Sequence, residues 1–328
     1  MGWAAKPPNP TPILALAQGR EFGFSEVPVS TFLRINTIMT TAWVFPGQGS
    51  QATGMGADLF DRADSQDKLQ QAEKILGWSV AERCHSPIEE LSRTLYTQPC
   101  LYTVECLLVD LLRNQGSLPD YGAGHSLGEY VALYGAGVFD FETGLRLVHQ
   151  RSQLMDQVSG GQMAALMGFD REALDQAIAA IEGVVLANDN NPGQVVISGT
   201  PTAIETLLGQ VKTKRAQILK VSGAFHSPLM ADAARQYQTI LDGATFGPGT
   251  FPVLSNVDPD PSIDPEILKD RLSQQMTGSV RWRETSLKLA KLGVETVTEV
   301  GPGKVLTGLI KRTCEGMTLR NVTAAADL

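Results

Sequence analysis

Hydrophobic positions along the chain switch between a period of two and a period near 3.6, and the switches mark out the elements. Residues 41–45 form a compact apolar run that predicts a strand, and the glycine-rich Pro46-Gly-Gln-Gly-Ser-Gln51 after it predicts a loop. Helical spacing follows over 63–76 and again over 98–114. In the second stretch Leu101, Val104, Leu108, Leu111 and Leu112 share a stripe, and Pro99 suits a first helical turn. Two more helices are predicted over 127–134, stopped by Gly135 and Gly137, and over 141–158.

Residues 163–221 have a rhythm of their own. Strand patterns at 163–168, 184–187, 194–198 and 217–221 are interleaved with helical patterns at 171–181 and 202–211. The order βαββαβ is that of a ferredoxin-like split unit, which closes on itself and so can be inserted with its own small core. Beyond it come a helix over 228–241, a strand over 251–255 and a helix opened by the cap-and-proline pair Asp264-Pro265 and running to 275. A helix over 283–292, a strand over 295–300 and a last helix over 304–313 complete the pattern. Alternating α and β elements predict a mainly parallel sheet covered on both faces. The expected fold is therefore α/β: a large, α/β-hydrolase-like catalytic domain from 39–161 and 223–328, interrupted by a ferredoxin-like subdomain at 162–222, with 1–38 standing apart.

Composition narrows the partners. The 328 residues are 43% apolar, enough for a large core, and carry a net charge of −8 with a pI near 5.1. No Lys/Arg run is present, which argues against nucleic acid, and no apolar run approaches the ~20 residues of a membrane span. Cys84, Cys100, Cys106 and Cys314 lack CxxC or zinc spacing and read as free thiols of a cytosolic protein, so no metal is expected. Residues 1–38 begin with proline punctuation (Lys6-Pro-Pro-Asn-Pro-Thr-Pro12). Their apolar patch at 13–17 is too short for a signal peptide, and Glu21 and Glu26 speak against a transit peptide.

One stretch carries chemistry by itself. In Gly122-Ala-Gly-His-Ser-Leu-Gly-Glu-Tyr130, the Gly124-x-Ser126-x-Gly128 core has the form of a nucleophile elbow, a strand–turn–helix device that thrusts a serine hydroxyl into open space. The helix half is legible. The strand half is demanded by the device rather than seen, because Pro119-Asp120-Tyr121 is a poor strand former.

The segment GHSLGEYVALYGAGVF resembles the active site of malonyl-CoA:acyl carrier protein transacylases, relatives of polyketide synthase acyltransferase domains. Further blocks recur in the family order: Phe45-Pro-Gly-Gln-Gly-Ser-Gln51, Gln150-Arg-Ser-Gln-Leu-Met155, Asn188-Asp-Asn-Asn-Pro-Gly-Gln194, Gly223-Ala-Phe-His-Ser-Pro228 and Glu299-Val-Gly-Pro-Gly-Lys-Val-Leu306. Because the similarity begins at Met39, that residue is expected to be the natural start and 1–38 an upstream extension.

The resemblance implies a role for each of several residues. Ser126 is the nucleophile and His226 its base, with a main-chain carbonyl near Gln275 orienting the imidazole in place of a triad acid. The backbone N–H groups of Gln48 and Leu127 form the oxyanion hole. Arg151, by itself an ordinary helix arginine, pairs with the free carboxylate of malonate, and Phe225 limits the size of the acyl group. His125 lines the site, and Asn188 and Asn190, by type turn formers, stand at the pocket mouth. The implied reaction carries malonyl from malonyl-CoA to acyl carrier protein through an acyl-serine in fatty acid synthesis. It would need no cofactor and proceed in a cytoplasmic monomer. A polyketide-pathway acyltransferase and a serine thioesterase or hydrolase remain as rival readings. The hydrolase would need a triad acid and have no use for Arg151.

Overall fold

A computed structural model describes residues 1–2 and 39–328; the expectation for the N-terminal extension lies outside the described residues. Two sheets organise residues 39–328. The larger has five strands in the order β7-β2-β1-β8-β9: β1 (Thr41–Phe45), β2 (Tyr121–Gly124), β7 (Val253–Leu254), β8 (Thr296–Val300) and β9 (Thr318–Val322), every pair parallel. The smaller is antiparallel, in the order β4-β5-β3-β6: β3 (Gln162–Phe169), β4 (Val184–Asn191), β5 (Gln194–Gly199) and β6 (Thr213–Ile218). With α8 (Arg171–Ala180) and α9 (Pro201–Gln210) it has the ferredoxin-like arrangement expected from the βαββαβ order.

Alternation along β1 explains the layering. Ala42 and Val44 face one core cluster, with Val297, Trp282, Leu289 and Ile310; Trp43 and Phe45 face the other, with Leu101, Leu127, Tyr130 and Leu145. Successive side chains point to opposite faces, so a strand apolar at its last four positions must be covered twice. Cover comes from α1 (Ala57–Phe60), α2 (Gln66–Leu76), α3 (Val80–Cys84), α4 (Ile88–Leu91), α5 (Thr94–Asn114), α6 (Gly128–Gly135), α7 (Phe141–Gln157), α10 (Ala231–Asp242), α11 (Pro265–Gln274), α12 (Trp282–Lys291) and α13 (Val305–Lys311). In the small sheet Ala164, Leu166, Val195 and Ile197 pack on Leu174, Ile204 and Leu207. The opposite face, with Met163, Ala165 and Val196, joins the larger core and the site.

Several elements depart from the pattern read in the sequence, which also passed over the short helices α1, α3 and α4. Helix α5 starts at Thr94, so Pro99 sits inside it rather than in its first turn; Arg93 offers no side-chain cap, and the proline was the only start signal available. Strand β6 lies at Thr213–Ile218 and not at 217–221. It is an exposed edge strand, where no apolar alternation is required, and the apolar residues just after it mimicked a strand. Strand β4 runs on to Asn191, so Asn188 and Asn190 are strand residues held by bulged pairing with β5 rather than turn formers. Strand β9 has exposed and half-buried positions at Thr318–Asn321 and shows no run to find.

Candidate active site

The carboxyl ends of β1 and β2 lie side by side, and the site is built on the loops that leave them, as open parallel sheets favour. Strand β2 ends at Gly124 and α6 begins at Gly128, leaving a turn of three residues with Ser126 at φ 53°. This left-handed conformation is strained for a residue with a Cβ. The two flanking glycines are steric necessities. A Cβ on Gly124 would stand 1.9 Å from the Gly128 carbonyl carbon, and one on Gly128 would stand 2.0 Å from Phe45 O. Gly47, in the loop after β1, is equally tight: its Cβ would meet His125 O at 2.4 Å and come to 3.6 Å from Leu127 N. Close packing of these backbones brings Gln48 and Leu127 into the lining of the cavity that holds Ser126. Among the described residues neither backbone N–H has a protein acceptor. The Gln48 side chain is turned away, accepting from Thr94 Oγ1 at 3.1 Å.

Asn256, which the sequence reading missed, fastens the strained turn. The Ser126 N–H donates to Asn256 Oδ1 at 2.7 Å, and Asn256 Nδ2 donates to Gly124 O at 2.5 Å.

His226 is the second non-glycine residue with positive φ, at 56°. Its Nδ1 faces two carbonyl oxygens, Gln275 O at 2.9 Å and Gly278 O at 3.1 Å. A carbonyl can only accept, so Nδ1 carries the proton and Nε2 presents its lone pair. Ser126 Oγ stands 2.8 Å from Nε2 and donates to it. Burial, the nearby Arg151 charge and His125 push the His226 pKa down to about 3 against the pull of the two carbonyls. The imidazole is therefore neutral across ordinary pH and able to accept a proton.

Arg151 comes from α7 and is 1% exposed. Nη1 donates to Gln98 Oε1 at 2.5 Å, while Nη2 donates to Gln275 Oε1 and to Ser126 Oγ, both at 3.0 Å. Its Nε has no acceptor among the described residues, and the guanidinium lies 5.5 Å over the Tyr130 ring. Every hydrogen-bond partner is neutral. Among the described residues no carboxylate pairs with this buried cation, although thirteen ion pairs form elsewhere. Gln98 was outside the sequence-predicted set. It lies in the turn of α5 just before Pro99, and only its helical register toward the core could have signalled it.

Most of the remaining candidates gather round a cavity of about 90 Å³ whose lining includes Gln48, His125, Ser126, Leu127, Arg151, Asn188, Phe225 and His226, with Gln98, Met155, Met163, Leu219 and Val221 completing it. His125 Nε2 meets Asn190 Oδ1 at 2.9 Å, and burial lowers its pKa. Asn188 Oδ1 is buried without a partner among the described residues. Asn190 therefore holds His125 and does not itself line the cavity. Gln275 serves twice, through its carbonyl on His226 and its side chain on Arg151. A cleft of about 730 Å³ adjoins, sharing Gln48, Leu219 and Val221 and bounded by Arg93, Asp156 and Lys220. His85 and His149 stay outside both. Among the described residues no group of three His, Cys, Asp or Glu side chains could hold a metal ion, and no helix is long and apolar enough to cross a membrane.

Residues 42–326 match the acyl transferase domain family. The chain belongs to that family. A malonyl CoA-acyl carrier protein transacylase of Synechocystis sp. is 58% identical over 290 residues, spanning 88% of this chain and 99% of that protein. The crystal structure of the Synechocystis sp. malonyl-CoA:ACP transacylase aligns with a TM-score of 0.87 over 88% of this chain and 99% of that one. The malonyl CoA-acyl carrier protein transacylase of Escherichia coli K12 is 40% identical over 84% of this chain and 94% of its own length. A polyketide biosynthesis malonyl CoA-acyl carrier protein transacylase of Bacillus subtilis is 44% identical over 82% and 96%. An acyl transferase needs a nucleophile, a base and an oxyanion site; here Ser126 meets His226 at 2.8 Å, and Gln48 and Leu127 line the same cavity.

Proposed function

We propose that this protein transfers the malonyl group of malonyl-CoA to the phosphopantetheine thiol of an acyl carrier protein, in fatty acid synthesis. The observation that carries the reading is Arg151: a buried guanidinium that no carboxylate touches among the described residues, 3.0 Å from the serine oxygen. A buried charge lacking its partner is costly. A substrate whose free carboxylate arrives next to the reacting carbonyl supplies that partner. A neutral acetyl group does not. The close relatives bear the same activity in their names.

The steps follow from the donors and acceptors. His226 Nε2 takes the Ser126 hydroxyl proton as Oγ bonds to the thioester carbon. The carbonyl oxygen becomes an anion between the Gln48 and Leu127 N–H groups, supported by the N-terminus of α6. As the C–S bond breaks, His226 returns the proton to the coenzyme A sulfur, leaving a malonyl ester on Ser126. The carrier's thiol then gives its proton to His226, attacks the ester and displaces Ser126, which recovers the proton. The adjoining cleft suits the pantetheine arm common to both substrates, so one arm can leave and the other enter without disturbing the ester.

Phe225, Met155 and Met163 close the acyl end of the cavity against larger groups, and Asn188 offers a free acceptor at its wall. No metal or redox cofactor takes part in these steps. We take the enzyme to act as a monomer in the cytoplasm. A transfer assay with malonyl-CoA and holo carrier protein tests the reading: malonyl-carrier should accumulate much faster than free malonate. Free malonate as the main product would favour the hydrolase reading.

A further inference from the structure

One buried carboxylate beside the site has no task in these steps. Glu129 lies on the first turn of α6, three residues after the nucleophile, and is 1% exposed. Its Oε2 accepts from Gln275 Nε2 at 2.7 Å and from the Asn256 N–H at 3.2 Å. Its Oε1 has no partner among the described residues. Burial raises the Glu129 pKa, against the opposing pull of Gln275, Asn256, Ser255 and the Arg151 charge.

Gln275 is a primary amide, whose two ends have the same shape and opposite hydrogen-bonding character. Rotating it by half a turn costs nothing sterically, so its partners alone decide which end meets Arg151. In the structure Nε2 commits both hydrogens, one to Glu129 and one to Ser126 O at 2.9 Å, which leaves Oε1 facing Arg151 Nη2 at 3.0 Å. The reversed amide would put two donors against a guanidinium that can only donate.

We propose that Glu129 is a positioning residue: it fixes the orientation of the Gln275 amide and thereby holds Arg151 where it selects a substrate bearing a free carboxylate. The inference rests on the malonyl reading of Arg151. It does not depend on the ionisation of Glu129. Because Oε2 accepts two N–H groups, any proton sits on Oε1, and the amide is oriented in either state.

The test compares malonyl-CoA with acetyl-CoA as donors and reads the ratio of their kcat/KM values. Glu129→Met removes the acceptor while keeping a long, unbranched side chain; Glu129→Gln keeps an acceptor oxygen. Losing one strong hydrogen bond to the amide lowers the malonyl/acetyl ratio about tenfold in Glu129→Met. In Glu129→Gln the ratio stays within about threefold of the parent. Gln275→Met leaves the main-chain carbonyl on His226 in place and should lose the same selectivity as Glu129→Met. It supplies the measurement should Glu129→Met not fold. Equal losses with both donors in Glu129→Met, or a parental ratio in Gln275→Met, overturn the proposal. Arg151→Ala separates the two levels. If that variant keeps the parental ratio, the malonyl reading itself has failed, whatever Glu129 does.

Discussion

Replacing Arg151 by alanine removes a buried cation that faces the nucleophile. In the parent, the guanidinium is 1% exposed and, among the described residues, hydrogen-bonded only to Gln98, Gln275 and Ser126. In the variant, a malonyl group must bury its carboxylate with no partner, a loss of about 3–5 kcal/mol, or roughly two hundred- to five thousand-fold in kcat/KM. Acetyl transfer loses only the Arg151–Ser126 hydrogen bond, about 1 kcal/mol, and is relieved of an unpaired buried charge, so it should change by less than about tenfold. The malonyl/acetyl ratio should therefore fall at least about twentyfold, from the quotient of these two effects. The assay is the initial rate of serine acylation with each donor, read by quenched intact mass. A second readout is independent of substrate. Arg151 is one of the charges holding the His226 pKa down, so the acid limb of the pH profile should move to higher pH in Arg151→Ala. Equal losses for both donors, with an unmoved acid limb, would refute the assignment.

Other outcomes follow from the same geometry. With His226 held near 3, well under the ordinary 6.5, the base stays neutral as pH falls, so the acid limb of acylation should lie clearly below pH 6.5; a limb at 6.5 or above would contradict the buried geometry. The same depression carries a stability cost in acid. Between about 6.5 and about 3 the unfolded chain binds a proton at this histidine that the folded chain refuses, so stability falls as pH drops through that window. The loss is about 2 kcal/mol at about pH 5, and it should be missing from His226→Gln in denaturant titrations. Gly47→Ala must displace the His125 carbonyl, 2.4 Å from the new methyl, and so disturb the oxyanion site; acylation should fall by about tenfold or more. Gln48→Ala, whose side chain points away, should keep most of the rate, and a reversed order of the two variants would contradict the main-chain assignment.

Much of the site was legible because it consists of short runs in which sterics dictate the residue. The elbow announces itself since no Cβ fits at Gly124 or Gly128, and Gly47 belongs to a glycine-rich loop for the same reason. The strand before the elbow was hidden, because Tyr121–Gly124 carries small residues that suit tight packing rather than strand propensity. The residues missed altogether, Gln98, Asn256 and Glu129, act through side chains that meet only in the folded chain. Gln98 looks like any polar helix residue, yet it is 1% exposed and holds Arg151. Asn256 follows a two-residue strand and reads as a turn, yet it crosslinks the nucleophile's backbone. Amides of this kind have no spacing rule, because their partners lie anywhere from 53 to 149 residues away in sequence. The small sheet illustrates the converse: its order was legible from the βαββαβ rhythm, while the register of its edge strand β6 was not, since an exposed edge has one face of contacts to satisfy instead of two.

The most direct measurement is proteolytic peptide mapping of the enzyme quenched after mixing with malonyl-CoA alone. A single malonyl group should be found on the peptide containing Ser126, be lost on addition of holo carrier protein with matching gain by the carrier, and be absent from Ser126→Ala. Malonyl at another residue, or carrier loading at the parental rate by Ser126→Ala, would contradict the account.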